Sequence, residues 1–133
     1  MRKEEKTEIT RRKIFAAAMQ EFGTNGYVAG SINNICKTGI NKGLIYHNFK
    51  DKDELYLECV KRSCEDIIAY VTARNADSGF VEYMSARRDF FREQEAEACL
   101  FLEARTQPPF HLRERINKIF AEFDEHLVLN ADK

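Results

Sequence analysis

The stretch Ser31–Phe49, SINNICKTGINKGLIYHNF, most narrowly limits what this chain can fold into. Ile32, Ile35 and Cys36 stand at i, i+3 and i+4, which predicts a short helix with one apolar face, and Ser31 sits where an N-cap belongs. Ile45 and Phe49, four apart, predict a second helix packed on that face, while Lys42, Tyr46 and His47 project elsewhere. Gly39 is expected to supply a positive-φ turn between them, and Asn41 to cap the second helix. A stop signal and a start signal two residues apart are the requirement of a helix-turn-helix.

The flanking sequence continues the helical theme. No segment alternates with period two, so the fold class is all-α. Ile14, Ala18 and Phe22 recur every four positions with Phe15 beside them, predicting a first helix from near Ile9 to Gly23. Residues 1–8 read as a loose charged arm whose Arg2, Lys3 and Lys6 could meet DNA or solvent. Thr24–Tyr27 is turn-forming, and Tyr27 and Val28 are expected to close the space between the first and second helices. Asp51 is placed to cap a fourth helix and Glu54 to complete a capping box. The apolar stripe from Leu55 runs to about Ala73, a rod of roughly 33 Å at 1.5 Å per residue. After a loop at Asn75–Gly79, a fifth helix carries Phe80, Val81, Met84 and Phe91, and a sixth carries Ala96, Cys99, Leu100 and Glu103. Pro108-Pro109 interrupts before a seventh, with Leu112, Ile116, Ile119, Phe120, Phe123 and Leu127 on one face.

Composition removes several function classes. With 44% apolar and 32% charged residues the chain can bury a core and stay soluble, and no apolar run nears the ~20 residues of a membrane span. Residues 1–10 lack the apolar segment of an export signal, so a cytoplasmic protein is expected. Cys36, Cys59, Cys64 and Cys99 show neither a C-x-x-C pair nor a His at zinc spacing, so each is read as a small hydrophobe, with no metal and no cofactor. His47, His111 and His126 lie in unrelated contexts, and no nucleophile and base stand at catalytic spacing, which argues against an enzyme. Charge is uneven: residues 1–62 hold 12 Lys/Arg against 8 Asp/Glu, net +4, and residues 63–133 hold 9 against 14, net −5. A basic head suits phosphates, and an acidic body would be held away from them.

The run Phe15-x-x-Ala18-x-x-x-Phe22-x-x-x-Gly26-Tyr27, then Ser31-Ile32-x-x-Ile35, then Gly39-Ile40-Asn41-Lys42-Gly43-x-Ile45-Tyr46-x-x-Phe49-x-x-Lys52-x-x-Leu55 resembles the amino-terminal domain of the TetR-like transcriptional repressors. The resemblance implies a three-helix DNA-binding head over residues 9–55, with the helix-turn-helix at about 31–50. It also implies a helical ligand-binding and dimerisation body over 56–133, expected to be partial because family members carry two further helices.

By that resemblance, Tyr46 and Lys52 contact phosphates, and Ser31 serves a cap and a phosphate together. Lys42 lies in the first turn of the recognition helix, suited to phosphate or base contact. Gly43 allows close approach to the groove, and His47 and Asn48 carry donors for phosphates or base edges. Leu44 departs from the family's usual Ser, Thr or Ala and can touch a thymine methyl. Asn34, Cys36 and Thr38 replace commoner Asp, Ala and Ala. The implied function is a ligand-responsive repressor that binds a double-stranded operator as a homodimer and is released by a small-molecule effector. The alternative is a protein-interaction module that keeps the fold without binding DNA. Phe90, Phe91, Phe101 and Phe110 read as core residues in the first instance, with a pocket lining as the second reading.

Overall fold

The computed structural model describes residues 2–76 and 79–131. Among the described residues there are seven α-helices, one 3-10 turn and no strand: α1 Lys3–Ala29, α2 Ile32–Cys36, α3 Lys42–Asn48, α4 Lys52–Ala73, α5 Phe80–Glu93, α6 Glu95–Thr106, the turn Phe110–Leu112, and α7 Arg113–Ala131. None of these helices is long and apolar enough to cross a membrane.

The first helix differs from expectation at both ends. It begins at Lys3, and the segment read as a loose arm makes helical turns in which Thr7 and Thr10 hydroxyls donate to the carbonyls four residues back. At the other end Gly23 does not stop it. The break comes at Gly26, whose φ of 76° and ψ of 177° leave the helical region. Gly23 has a different task, because a Cβ there would lie 2.0 Å from the Ala96 carbonyl oxygen. The missing side chain lets α1 cross α6 at backbone contact.

The head packs as its apolar spacing requires. Ile14, Phe15, Ala18 and Phe22 of α1 close over Ile32 and Ile35 of α2 and Ile45 and Phe49 around α3, and all are buried. Phe15 meets Phe49 edge-on at 5.4 Å. Gly39 turns the chain at φ 104°, as expected. The caps also form: Ser31 Oγ accepts from Asn34 N at 3.0 Å, Asn41 Oδ1 from Gly43 N at 2.7 Å, and Asp51 Oδ1 from Glu54 N at 2.9 Å. Glu54 does not complete a box. Its carboxylate is taken by Arg115 of α7 in a two-pronged contact at 2.7 and 3.1 Å, which a single reach back to the cap does not match.

The body is organised by aromatic rings. Phe101 stands between Phe91, Phe120 and Phe123 at 5.8, 5.3 and 5.6 Å, and Phe90 meets Tyr70 of α4 at 5.5 Å. That cluster selects the buried face of α5. Ala86 and Phe90 go inside with Tyr83 beside them, while Phe80 and Val81, two of the apolar residues that predicted the helix, are 76% and 73% exposed. Val28 is exposed as well, leaving Tyr27 alone to fill the junction. Cys59 and Cys64 behave as small buried hydrophobes and Cys36 is half-buried, but Cys99 is exposed on α6. Of the loop expected at Asn75–Gly79, positions 77 and 78 lie outside the described residues; Asn75 has φ 54° and Gly79 precedes α5 in extended conformation.

Candidate nucleic-acid interface

α3 has seven residues, and burying Ile45 turns the rest outward. Lys42, Gly43, Leu44, Tyr46 and His47 are all exposed, and the Tyr46 hydroxyl makes no hydrogen bond within the described residues. Leu44 is 45% exposed, so it is half in contact with its own domain and half available. At Gly43 a Cβ would stand 2.9 Å from Asn41 Oδ1, so the absent side chain also protects the cap of α3.

Asn48 is the least free of the expected residues. Its Nδ2 donates to the Leu44 carbonyl at 2.8 Å and its Oδ1 accepts from Arg11 at 3.5 Å. Ser31 is half-buried, and its N–H donates to Glu21 Oε2 at 3.1 Å, which also accepts from Asn34 Nδ2 at 2.9 Å. Burial raises the Glu21 pKa, but the bonds from Asn34, Asn25 and Ser31 outweigh it and leave it lowered. An Asp at position 34 would face that carboxylate with like charge, so the Asn follows from Glu21.

Lys52 lies at the start of α4, half-buried. Its Nζ is 4.2 Å from the Tyr27 ring centroid and 3.4 Å from the Val28 carbonyl oxygen. The Tyr27 hydroxyl donates to Asp53 Oδ1. Burial and then that bond push the tyrosine up to about 12. Burial pushes the Asp53 carboxyl the other way from its final state: hydrogen bonds from Tyr27 and His111 outweigh it and hold the group below the usual carboxylate value.

Two features were missed in the sequence. Arg11 lies 4.8 Å from the Phe49 ring centroid and 5.5 Å from that of Phe15, beside Asn48. It stands four residues before Phe15, a spacing that could have marked the pair. The helical start of α1 is the second, since it brings Lys3, Lys6 and Arg11 against Leu44, His47 and Asn48 around a groove of about 300 Å³.

Among the described residues, the two clefts are lined by other side chains than the aromatic residues considered for a pocket. Phe90 and Phe101 are buried core, Phe91 is half-buried against them, and Phe110 is 87% exposed. The larger cleft, about 820 Å³, lies instead between Arg12, Phe15 and Met19 of α1, Arg62 and Asp66 of α4, and the start of α6. Glu97 lines it, and burial, followed by the neighbouring Asp66 carboxyl, raises its pKa well above the carboxylate range.

Comparison with known proteins agrees with this geometry. Residues 14–59 match the family described as bacterial regulatory proteins, tetR family. The HTH-type transcriptional regulator UidR of Escherichia coli is 33% identical over 76 residues, covering 56% of this chain and 39% of the relative. The Transposon Tn10 TetC protein of Escherichia coli is 35% identical over 72 residues, covering 53% of this chain and 36% of the relative. The chain thus spans well under half the length of the curated relatives it matches. Residues 14–59, running from the buried face of α1 through α2 and α3 into the first turns of α4, form a helix-turn-helix that is similar to the tetR family of bacterial regulatory proteins.

Proposed function

We propose that the chain is a cytoplasmic, ligand-responsive transcriptional regulator, a repressor that binds operator DNA as a dimer and releases it when a small-molecule effector binds the body. The observation that carries this reading is the outward face of α3, where Lys42, Tyr46 and His47 stand exposed around a helix anchored by the fully buried Ile45. The net charge of +4 over residues 1–62 supports it, as does the name of the relative UidR.

In this reading the domains are a head over residues 9–55, extended by the helical turns from Lys3, and a regulatory body over 56–133. Tyr46 and Lys52 hold phosphates, Lys42 and His47 meet phosphate or base edges, and Gly43 admits the groove. Leu44 meets a thymine methyl. Ser31 caps α2 and offers its hydroxyl to a phosphate. Asn48 acts mainly by bracing Arg11 against the end of α3. Two heads would occupy major-groove half-sites one helical turn apart. Effector and DNA would weaken each other's binding reciprocally, through the position of α4.

The test is binding of a duplex across a salt series by the parent and by a Tyr46→Phe, Lys52→Ala double variant. The parent is expected to bind with a steep salt dependence, and the variant to lose affinity and slope with its helical signal unchanged. A parent that binds no duplex at low salt would favour the interaction-module reading. Equal slopes for the two proteins would remove Tyr46 and Lys52 from the interface.

A further inference from the structure

The turn Phe110–Leu112 belongs to the body, yet its His111 reaches the first turn of α4, where Lys52 lies. His111 Nε2 is 3.0 Å from Asp53 Oδ2 and 3.3 Å from the Tyr27 hydroxyl oxygen, and that hydroxyl donates to Asp53 Oδ1. Three elements therefore meet at one phenol. A second set of contacts holds the other end of the residue. Tyr27 N donates to Glu103 of α6 at 3.1 Å, and Glu103 Oε1 also accepts from the Tyr56 hydroxyl at 2.8 Å. Tyr27 is thus fixed from the body at its hydroxyl and at its N–H, and the face of its ring carries the Lys52 ammonium at 4.2 Å.

We propose that Tyr27 is the seat through which the body places Lys52 at the DNA, with His111 and Glu103 as positioning residues that never touch the nucleic acid. The proposal rests on the reading of the head as DNA-binding and adds the atoms by which the state of the body reaches a phosphate contact. A lysine has four rotatable bonds, and an ammonium already resting on a ring has less freedom to lose when it meets a phosphate. Withdrawing His111 loosens the phenol and frees one oxygen of Asp53. That carboxylate is the sequence neighbour of Lys52 and a competitor for its charge. Movement of the turn after Pro108-Pro109 would then weaken DNA binding without any displacement of α3.

The experiment measures affinity for a random-sequence duplex across a salt series for the parent, His111→Leu, His111→Gln, Tyr27→Phe, Lys52→Ala and the His111→Leu, Lys52→Ala pair. His111→Leu is expected to bind several-fold more weakly, with a salt slope shallower by up to about 0.9, the value of one phosphate. Tyr27→Phe, which keeps the ring and deletes the hydroxyl, should behave the same way. His111→Gln, whose amide can still donate to Asp53, should keep the parent slope. In the Lys52→Ala background, His111→Leu should change nothing further. The His111 side chain is 54% exposed, so its replacement empties no core, and thermal melts check that each variant is folded.

A parent slope for His111→Leu and Tyr27→Phe, or losses that add in the double variant, overturns the proposal. If Lys52→Ala flattens the slope and His111→Leu does not, the seat alone is refuted. If the parent binds no duplex, or Lys52→Ala leaves the slope intact, the DNA role of Lys52 falls and the seat falls with it.

Discussion

Replacing Gly23 by Ala tests how head and body are joined. In an ordinary helix interior the change stabilises by about 1 kcal/mol. Here the new Cβ would stand 2.0 Å from the Ala96 carbonyl oxygen and 2.6 Å from its carbon, where ordinary contact begins at 3.4 Å. Both sides of the clash are backbone, so no side chain can rotate away. α1 and α6 must part by about 1.4 Å, the difference between 3.4 and 2.0 Å. Parting carries the Tyr27 N–Glu103 bond, at 3.1 Å, out of range. Overpacking costs about 1–3 kcal/mol and a lost hydrogen bond about 1. Set against the helix-propensity gain, a net loss of about 2 kcal/mol is expected, a fall in melting temperature of about 7 °C for a chain of this length. Circular dichroism melts and urea titrations of parent and variant read it directly. A melting temperature that rises would mean that α1 does not cross α6 at Gly23.

Gly39→Val should destabilise the head by about 1–3 kcal/mol through backbone strain alone, because φ is 104° and open space surrounds the missing Cβ; an unaltered melt with unaltered DNA binding would contradict the left-handed turn. Leu44→Ala should weaken operator binding by about 1 kcal/mol or less and leave random DNA unaffected, since the side chain is only 45% exposed; operators with uracil in place of thymine should weaken the parent and not the variant, and equal effects on both would refute a methyl contact. Glu97→Gln should flatten the pH dependence of stability. The folded carboxyl has a raised pKa, so its contribution is fully present below the unfolded value near 4.5 and is lost as pH rises toward and past neutrality. The variant should therefore gain over the parent at neutral and alkaline pH, and superimposable stability–pH curves would exclude a raised Glu97.

The helix-turn-helix was legible because its signals are local. Ile32, Ile35, Ile45 and Phe49 sort by period, and Ser31, Gly39, Asn41 and Asp51 mark ends through bonds to their own backbone neighbours. What was illegible depended on distant partners. Gly23 reads as a helix stop until Ala96 is placed against it. Glu54 reads as the second half of a capping box until Arg115 arrives from 61 residues away. On α5 the sequence offers two apolar faces, and only the Tyr70 and Phe101 rings decide that Ala86 and Phe90 go inside and Phe80 stays out. At the candidate interface, the exposure of Lys42, Tyr46 and His47 follows from Ile45 being buried, but the surroundings of Lys52 do not, because Tyr27 and His111 lie 25 and 59 positions away.

The boundary drawn between residues 55 and 56 falls inside an unbroken helix, between two fully buried neighbours, Leu55 and Tyr56. A hinge needs residues that can change φ and ψ without unpacking, and the first turns of α4 contain none with that freedom. Besides the direct crossing of α1 and α6 at Gly23, movement of the body can therefore reach the head through α4 as a rigid tilt or shift, together with changed contacts at its first turn. A rod of 22 residues, roughly 33 Å long, displaces its far end by about 3 Å for a tilt of about 5°. Hydrogen bonds tolerate only a few tenths of an ångström around their preferred length. A tilt driven from the Ala73 end and pivoting near Asp51 would leave the first-turn contacts intact, whereas one pivoting near the middle of α4 must break Asp53–His111 and Glu54–Arg115, at 3.0 and 2.7 Å. Along α4, those two contacts decide whether the head follows the tilt or holds its place, and only the first of them lies against the lysine.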